Sequence, residues 1–192
     1  MSVSTQRRTL RHWLAAGFTA AALATGAVTA PPAAAATAPA TAAPVTQGVT
    51  AQISRGDIIA RAQSWVDAGG YAYNQSGFTP DGWRTDCSGY VSMAWNVAKN
   101  VNGGTNTVGL LDYSTAITKG ELQAGDILID AAGTNLTRHV VLFHKWANDN
   151  RTAYWGYEQS ASGNVGTKYR VISYPYDSTP DEYAPRRPNN AS

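Results

Sequence analysis

The helix around which the chain is organised begins in the stretch Thr85-Asp86-Cys87-Ser88-Gly89-Tyr90-Val91-Ser92-Met93-Ala94-Trp95. Asp86 is a preferred N-cap residue, and apolar residues recur behind it at helical spacing. Cys87 therefore falls in the first turn, where unpaired backbone N–H groups and the helix dipole favour a thiolate over a thiol. Gly89 leaves space beside the backbone, which we expect a substrate to use.

The first 36 residues have the pattern of a signal peptide. Three arginines precede an apolar, alanine-rich segment, and an A-x-A-like cleavage site follows. We expect residues 1–36 to be removed on export, residues 37–52 to form a flexible Ala/Thr/Pro linker, and residues 53–192 to form one domain. The apolar segment is too short for a spanning helix, so we expect no membrane span after signal removal.

The charge of the chain excludes one class of function. The formal net charge of +2 belongs mostly to the leader, because 12 basic and 13 acidic residues remain without its three arginines. The mature chain therefore has no positive excess with which to attract nucleic acid.

The single cysteine is informative because the domain is expected to be exported. A free cysteine on the apolar face of a helix is most often a small buried hydrophobe. Cysteines of secreted domains usually pair, however, and this chain offers no partner for Cys87. An unused thiol is a liability where oxidation occurs, so we favour a nucleophilic role. A cysteine-rich zinc site is excluded, and no metal or cofactor is expected.

The segments around Cys87 predict an α+β fold. A first helix is expected from the capping box at Ser54 to the pair Gly69-Gly70. After the Cys87 helix, four short segments have strand character, and a Pro-rich, charged tail follows them. Adjacent strands joined by short turns predict an antiparallel meander covered by the N-terminal helices. The predicted strands are residues 125–130, 138–146, 154–160 and 169–174.

The segment from Tyr71 to Arg84 is predicted to be a loop with four aromatic residues, among them Tyr73. Aromatic side chains in a loop that leads to the Cys87 helix either form the wall of a cleft or cover the core. The sequence favours neither alternative.

Two histidines of the mature chain are candidate bases for Cys87. His139 and His144 are five residues apart in one predicted strand, so they point to opposite faces and only one can reach the sulfur. His139 is favoured because it opens the strand beside a loop. The imidazole needs a polar partner, and the next strand offers Glu158 and Gln159 on opposite faces. The residue pattern leaves open which of the two it is.

These residues resemble those of the NlpC-type cell-wall cysteine peptidases, a family with a papain-like catalytic core. The resemblance covers about residues 53–174 and rests on three motifs. They are Asp86-Cys87-Ser88-Gly89-Tyr90-Val91, Leu122-Gln123-Ala124-Gly125-Asp126-Ile127-Leu128 and His139-Val140-Val141-Leu142-Phe143.

The resemblance implies roles for individual residues. Cys87 corresponds to the nucleophile and His139 to the general base, with the third polar residue at Glu158 or Gln159. The related CHAP amidases have a glutamate in third place, which favours Glu158. Tyr73 corresponds to a family tyrosine that helps to line the oxyanion site, and Ser88 is assigned to the same oxyanion and substrate-binding group.

Two departures from the family pattern concern the substrate side. Val141 stands where the family usually has glycine, and Asn74-Gln75-Ser76-Gly77 replaces its common Gly-Gly pair. Both changes bear on the substrate subsite more than on the chemistry.

The resemblance implies a secreted or cell-wall-associated endopeptidase that cleaves amide bonds in peptidoglycan stem peptides through a Cys-His-polar triad. One alternative is an N-acetylmuramoyl-L-alanine amidase or a transacylase with the same triad. Another is a non-catalytic cell-wall binding domain in which Cys87 belongs to the core. We expect a monomer that needs no cofactor.

Overall fold

The computed structural model describes residues 51–162, 166–177 and 182–192. The predicted signal peptide and nearly all of the predicted linker lie outside these residues. The described part contains helices α1 (Arg55–Asp67) and α2 (Cys87–Ala94) and two short 3-10 helices, Gly109–Leu111 and Lys119–Glu121. Its strands are β1 (Asn74–Phe78), β2 (Arg84–Thr85), β3 (Ser114–Ala116), β4 (Ile127–Asp130), β5 (His139–Trp146), β6 (Ala153–Ser160), β7 (Gly166–Ser173) and β8 (Ala184–Pro188).

The strands form two antiparallel sheets, so the predicted α+β class is confirmed. The larger sheet has the order β3-β8-β4-β5-β6-β7, and β1 and β2 form a small hairpin. The four consecutive strands β4 to β7 are the expected meander. In the part of the chain that the structure describes, no helix has the length and apolar character that crossing a membrane requires.

Four of these strands, β1, β2, β3 and β8, are not among the strands predicted from the sequence. The hairpin of β1 and β2 lies within the segment predicted as an aromatic loop. The charged tail forms β8, which inserts between β3 and β4. Its insertion depends on long-range contacts, because Arg187 pairs with the fully buried Asp126 at 3.1 Å and Arg186 donates to the carbonyl of Ser114 at 2.6 Å.

Helix α1 begins and ends where its sequence indicates. The Ser54 hydroxyl accepts a hydrogen bond from the Asp57 backbone N–H at 3.0 Å, which satisfies one free donor of the first turn. Gly69, with φ of +85°, follows the helix in a conformation that favours glycine. The buried side of α1 packs on α2 and β7.

Helix α2 is buried along its whole length and begins at Cys87. The Asp86 carboxylate caps it by accepting a hydrogen bond from the Gly89 N–H at 2.7 Å. A Cβ atom at Gly89 would lie 2.1 Å from the Arg84 carbonyl oxygen. The expectation that a substrate occupies the space at Gly89 is therefore wrong, because the chain's own backbone fills it.

The larger sheet is buried on both faces. Alternate residues of its central strands face a core that includes α1 and α2, among them Val140, Leu142 and Tyr157. The residues between them face a second core formed with the C-terminal segment, among them Val141 and Phe143. This two-sided burial explains why the central strands are apolar throughout rather than alternating.

Replacement of Gly89 by alanine should lower the free energy of unfolding by about 3 kcal/mol, at the upper end of the cost of overpacking, because its Cβ would collide with the Arg84 carbonyl. Gly56→Ala in α1 is the matched control, since its Cβ would meet only the Ser54 hydroxyl oxygen at 3.7 Å. That change should be neutral or stabilise by up to about 1 kcal/mol. Urea unfolding of both variants tests this, and equal effects would contradict the close approach at Gly89.

Candidate active site

Cys87 lies at the first position of α2 and lines a surface cleft. The residue is 4% exposed, and its sulfur lies 3.9 Å from the Thr107 hydroxyl oxygen. It lines a cavity of about 610 Å³ together with β1, residues 100–107 and the end of the loop before β5. Cys87 therefore lies at a helix N-terminus and also faces a space large enough for a peptide segment.

The cleft is lined mainly by uncharged polar side chains. Amides and hydroxyls predominate, and the amide-bearing residues are Gln75, Asn100, Asn102, Asn106 and Asn135. Such groups both donate and accept hydrogen bonds, as the N–H and C=O groups of a peptide do. The lining therefore suits an extended polar chain better than an apolar ligand.

The aromatic residues before the helix divide between the two roles considered for them. Tyr73 and Phe78 line the cleft. Trp83 is 6% exposed and belongs to the core, and Tyr71 packs against that core. Burial raises the pKa of Tyr73, whose hydroxyl accepts a hydrogen bond from the Gln75 amide at 3.2 Å.

His139 is the first residue of β5 and lies near both Cys87 and Glu158. Its Nε2 atom lies 3.1 Å from Glu158 Oε2, which leaves Nδ1 for the sulfur. Burial lowers the pKa of His139, but hydrogen bonding to Cys87 and Glu158 and the charges of both raise it to about 9. The imidazolium form therefore prevails at neutral pH. Its contribution to stability is complete below about pH 6.5 and is lost as the pH rises through about 9.

Glu158 is completely buried, and neighbouring donors balance the negative charge of its carboxylate. Arg170 Nε donates to Oε1 at 2.6 Å, and the Tyr176 hydroxyl donates at 3.0 Å to Oε2, the oxygen that His139 contacts. Burial alone would raise the pKa of Glu158, but His139 and Arg170 lower it to about 2. The carboxylate consequently stays ionised, and its stabilising effect is lost only as the pH falls from about 4.5 through 2.

Gln159 faces away from the imidazole. Its amide donates to the carbonyls of Tyr71 at 2.9 Å and Thr85 at 3.1 Å, and it accepts from the Thr167 hydroxyl at 2.7 Å. Gln159 thus holds the segment that leads into α2. Of the two candidates left open by the sequence, Glu158 is the one beside His139.

Ser88 and His144 make contacts with other residues than Cys87. The Ser88 hydroxyl accepts from Arg84 Nη2 at 2.9 Å and contacts the Asp86 carboxylate, so it takes part in the cap of α2. His144 Nδ1 lies 2.8 Å from the Tyr169 hydroxyl, among different neighbours from those of His139. The two histidines therefore do not share a site.

Three residues around the imidazole were not predicted from the sequence: Arg170, Tyr176 and Tyr183. The ring centroids of Tyr176 and Tyr183 lie 4.5 Å apart in a stack, and that of Tyr176 is 5.1 Å from the His139 ring. Strand pairing could have identified Arg170 as a partner of Glu158. Lys168 stands directly opposite Glu158, and Arg170 lies two residues further along the same face of β7. The tyrosines lie outside the strands and have no such signal.

Arg84 fixes the cleft wall to the start of α2. Its guanidinium contacts Asp86 at 2.8 Å and donates to the carbonyls of Asn102 at 2.8 Å and Thr105 at 2.9 Å. The planar fork of arginine serves acceptors in several directions at once. Within residues 51–162, 166–177 and 182–192, no group of three or more His, Cys, Asp or Glu side chains is arranged to hold a metal ion.

The comparisons with known proteins include a distant structural similarity. The chain is similar to a protein from Staphylococcus aureus subsp. aureus Mu50 described as similar to lipoprotein, NLP/P60 family, with 21% identity and a TM-score of 0.45. The similarity covers 69% of this chain and 40% of that protein, so the chain spans less than half of its length. No family profile and no curated protein matches the chain.

Replacement of Glu158 by glutamine should lower the pKa of His139 from about 9, because the carboxylate that stabilises the imidazolium is lost while burial still disfavours the charge. An NMR titration of the histidine ring signals measures this change. His144 provides an internal control, since burial and Lys145 lower its pKa and Glu158 takes no part. An unchanged His139 titration would contradict the assigned contact.

Proposed function

We propose that this chain is a secreted cysteine hydrolase with a papain-like core that cleaves amide bonds in the peptide stems of peptidoglycan. Cys87 is the nucleophile, His139 the general acid and base, and Glu158 the residue that orients the imidazole. The observation that carries the proposal is the chain of contacts from Cys87 through His139 to the buried Glu158, with the sulfur at the edge of a polar cleft.

The reaction proceeds through a covalent acyl-enzyme. The Cys87 thiolate attacks the carbonyl carbon of the scissile amide, and a tetrahedral oxyanion forms. The His139 imidazolium then gives its proton to the leaving nitrogen, the C–N bond breaks, and the amine departs. His139 next takes a proton from water, whose oxygen attacks the thioester and releases the carboxylic acid and the thiolate.

The oxyanion is stabilised at the start of α2. The Cys87 N–H lies in the first turn, where backbone donors have no partner within the helix. The Tyr73 phenol, which lines the same cleft as Cys87, supplies a second donor to the same oxygen. A donor of this kind contributes about 10²- to 10³-fold to the rate of acyl transfer.

The form of the cleft supports a peptide as substrate. Amide-bearing residues of the 100–107 segment, Asn100, Asn102 and Asn106, line a space of about 610 Å³. They match the alternating donors and acceptors of an extended peptide. Peptidoglycan as the source of that peptide follows from the sequence motifs and the predicted export.

Cys87→Ala should abolish release of soluble peptides from purified peptidoglycan, because no other group in the proposed mechanism can form the thioester. Mass analysis of the soluble products measures this and identifies the bond that is cut. Lys145→Gln, an exposed change on β5, should retain full activity. Undiminished release by a folded Cys87→Ala protein would overturn the proposal.

Tyr176→Phe should lower kcat about tenfold with little change in KM, since Glu158 loses a charge-assisted hydrogen bond that orients it. Loss of this donor also strengthens the attraction of the carboxylate for the imidazolium, so the alkaline limb of the pH profile should move to higher pH. Tyr174→Phe removes a hydroxyl two residues away and should change neither quantity. A Tyr176→Phe enzyme with the kcat and pH profile of the unaltered protein would show that Tyr176 is not a positioning residue.

A further inference from the structure

Arg170 of β7 contacts Glu158 at the oxygen that the imidazole does not use. We propose that Arg170 is a positioning residue for the reaction: it holds Oε1 of Glu158, so that Oε2 alone serves His139, and it balances part of the carboxylate charge. This inference rests on the proposed function, because it assigns a further residue to the same site. Arg170 acts through Glu158 and does not touch the reacting atoms.

The two oxygens of Glu158 have different partners. Oε2 lies 3.1 Å from His139 Nε2 and accepts a hydrogen bond from the Tyr176 hydroxyl at 3.0 Å. Oε1 accepts a hydrogen bond from Arg170 Nε at 2.6 Å. Rotation of the carboxylate would break this short, charge-assisted hydrogen bond. Arg170 therefore fixes the direction from which Glu158 meets the imidazole.

Arg170 is itself held by a second carboxylate. Its Nη1 lies 2.8 Å from Asp177 Oδ2, and Asp177 Oδ1 accepts a hydrogen bond from the Ser173 N–H at 3.0 Å. The guanidinium carbon lies 5.8 Å from the centre of the Tyr176 ring. The planar fork of arginine reaches two carboxylates at once, which the compact ammonium of lysine does not. Arg170 is thus oriented before a substrate binds.

The pairing with Arg170 limits the attraction of Glu158 for the imidazolium. Burial lowers the pKa of His139, but hydrogen bonding to Cys87 and Glu158 and the charges of both raise it to about 9. In the proposed mechanism His139 has to give its proton to the leaving nitrogen. A Glu158 without the neighbouring guanidinium would hold that proton more tightly, and an imidazolium of higher pKa is a weaker acid.

Several titratable groups surround the imidazole, and two of them, Glu158 and Tyr176, contact Arg170. Burial raises the pKa of Tyr176, and Glu158 raises it further, so the phenol stays neutral while His139 titrates. A changed His139 titration in an Arg170 variant therefore reports on Glu158. The groups around His139 are Cys87 of α2, Asp130 of β4, Glu158 of β6, and Tyr176 and Tyr183 of the segment after β7.

Arg170→Gln should lower kcat on a synthetic stem peptide about 10- to 100-fold, because a charge-assisted hydrogen bond to Glu158 is lost. KM should change little, since Arg170 is not among the described residues that line the cleft. The same variant should raise the pKa of His139 above about 9, which NMR titration of the ring signals measures without a substrate. Arg170→Lys keeps the positive charge and should recover part of both effects.

Lys168→Gln is the matched control on the same face of β7. The Lys168 ammonium lies 3.6 Å from the same Glu158 Oε1 but donates its hydrogen bond to the Ser162 carbonyl at 2.9 Å. This variant therefore removes an equal charge without removing a short hydrogen bond to the carboxylate. It should change kcat and the His139 titration less than Arg170→Gln does, and equal effects of the two variants would overturn the inference.

A folded Arg170→Gln protein with unaltered kcat and His139 titration would also overturn it. Should Arg170→Gln fail to fold, Asp177→Asn tests the same arrangement, because the Asp177 side chain is 40% exposed. Arg170 then pairs with Glu158 alone, so His139 should titrate at lower pH, and an unchanged or raised pKa would contradict the inference. If the unaltered protein cleaves no peptide while these variants move the His139 titration as expected, the proposed hydrolysis fails and the effect of Arg170 on Glu158 stands.

Discussion

The fully buried carboxylate of Glu158 has to be balanced by charges and donors inside the protein. Its partners come from three different places in the chain: His139 of β5, Arg170 of β7 and Tyr176 of the segment after β7. These contacts fix the strands and that segment relative to each other. Removal of one partner of a buried ion pair costs about 3–5 kcal/mol in general, so the arrangement tolerates little displacement.

The same carboxylate decides the protonation of the candidate site. A buried histidine ordinarily loses its proton, because burial disfavours the charged form. Glu158 reverses this for His139, whose pKa is raised to about 9. The rings of Tyr176 and Tyr183 lie 5.1 Å and 6.4 Å from the His139 ring and limit its movement.

Local patterns in the sequence predicted the elements whose formation is local. The capping residues Ser54 and Asp86 marked the starts of both helices, and adjacent strand-forming segments joined by short turns gave the meander from β4 to β7. Strand β8 was missed because it forms through distant partners, above all the buried Asp126. Nor could periodicity decide between Glu158 and Gln159, since adjacent strand residues differ only in their face.

The cleft wall formed by residues 100–107 is positioned by contacts with Arg84 rather than by a local sequence pattern. Residues 100–107 have no periodic pattern, and Arg84 holds them through main-chain carbonyls while it also contacts the cap of α2. Because these contacts are to the backbone, they hold the wall beside the start of α2 whichever side chains stand at 102 and 105. Specificity can then change in the loops without a change in the buried contacts of His139.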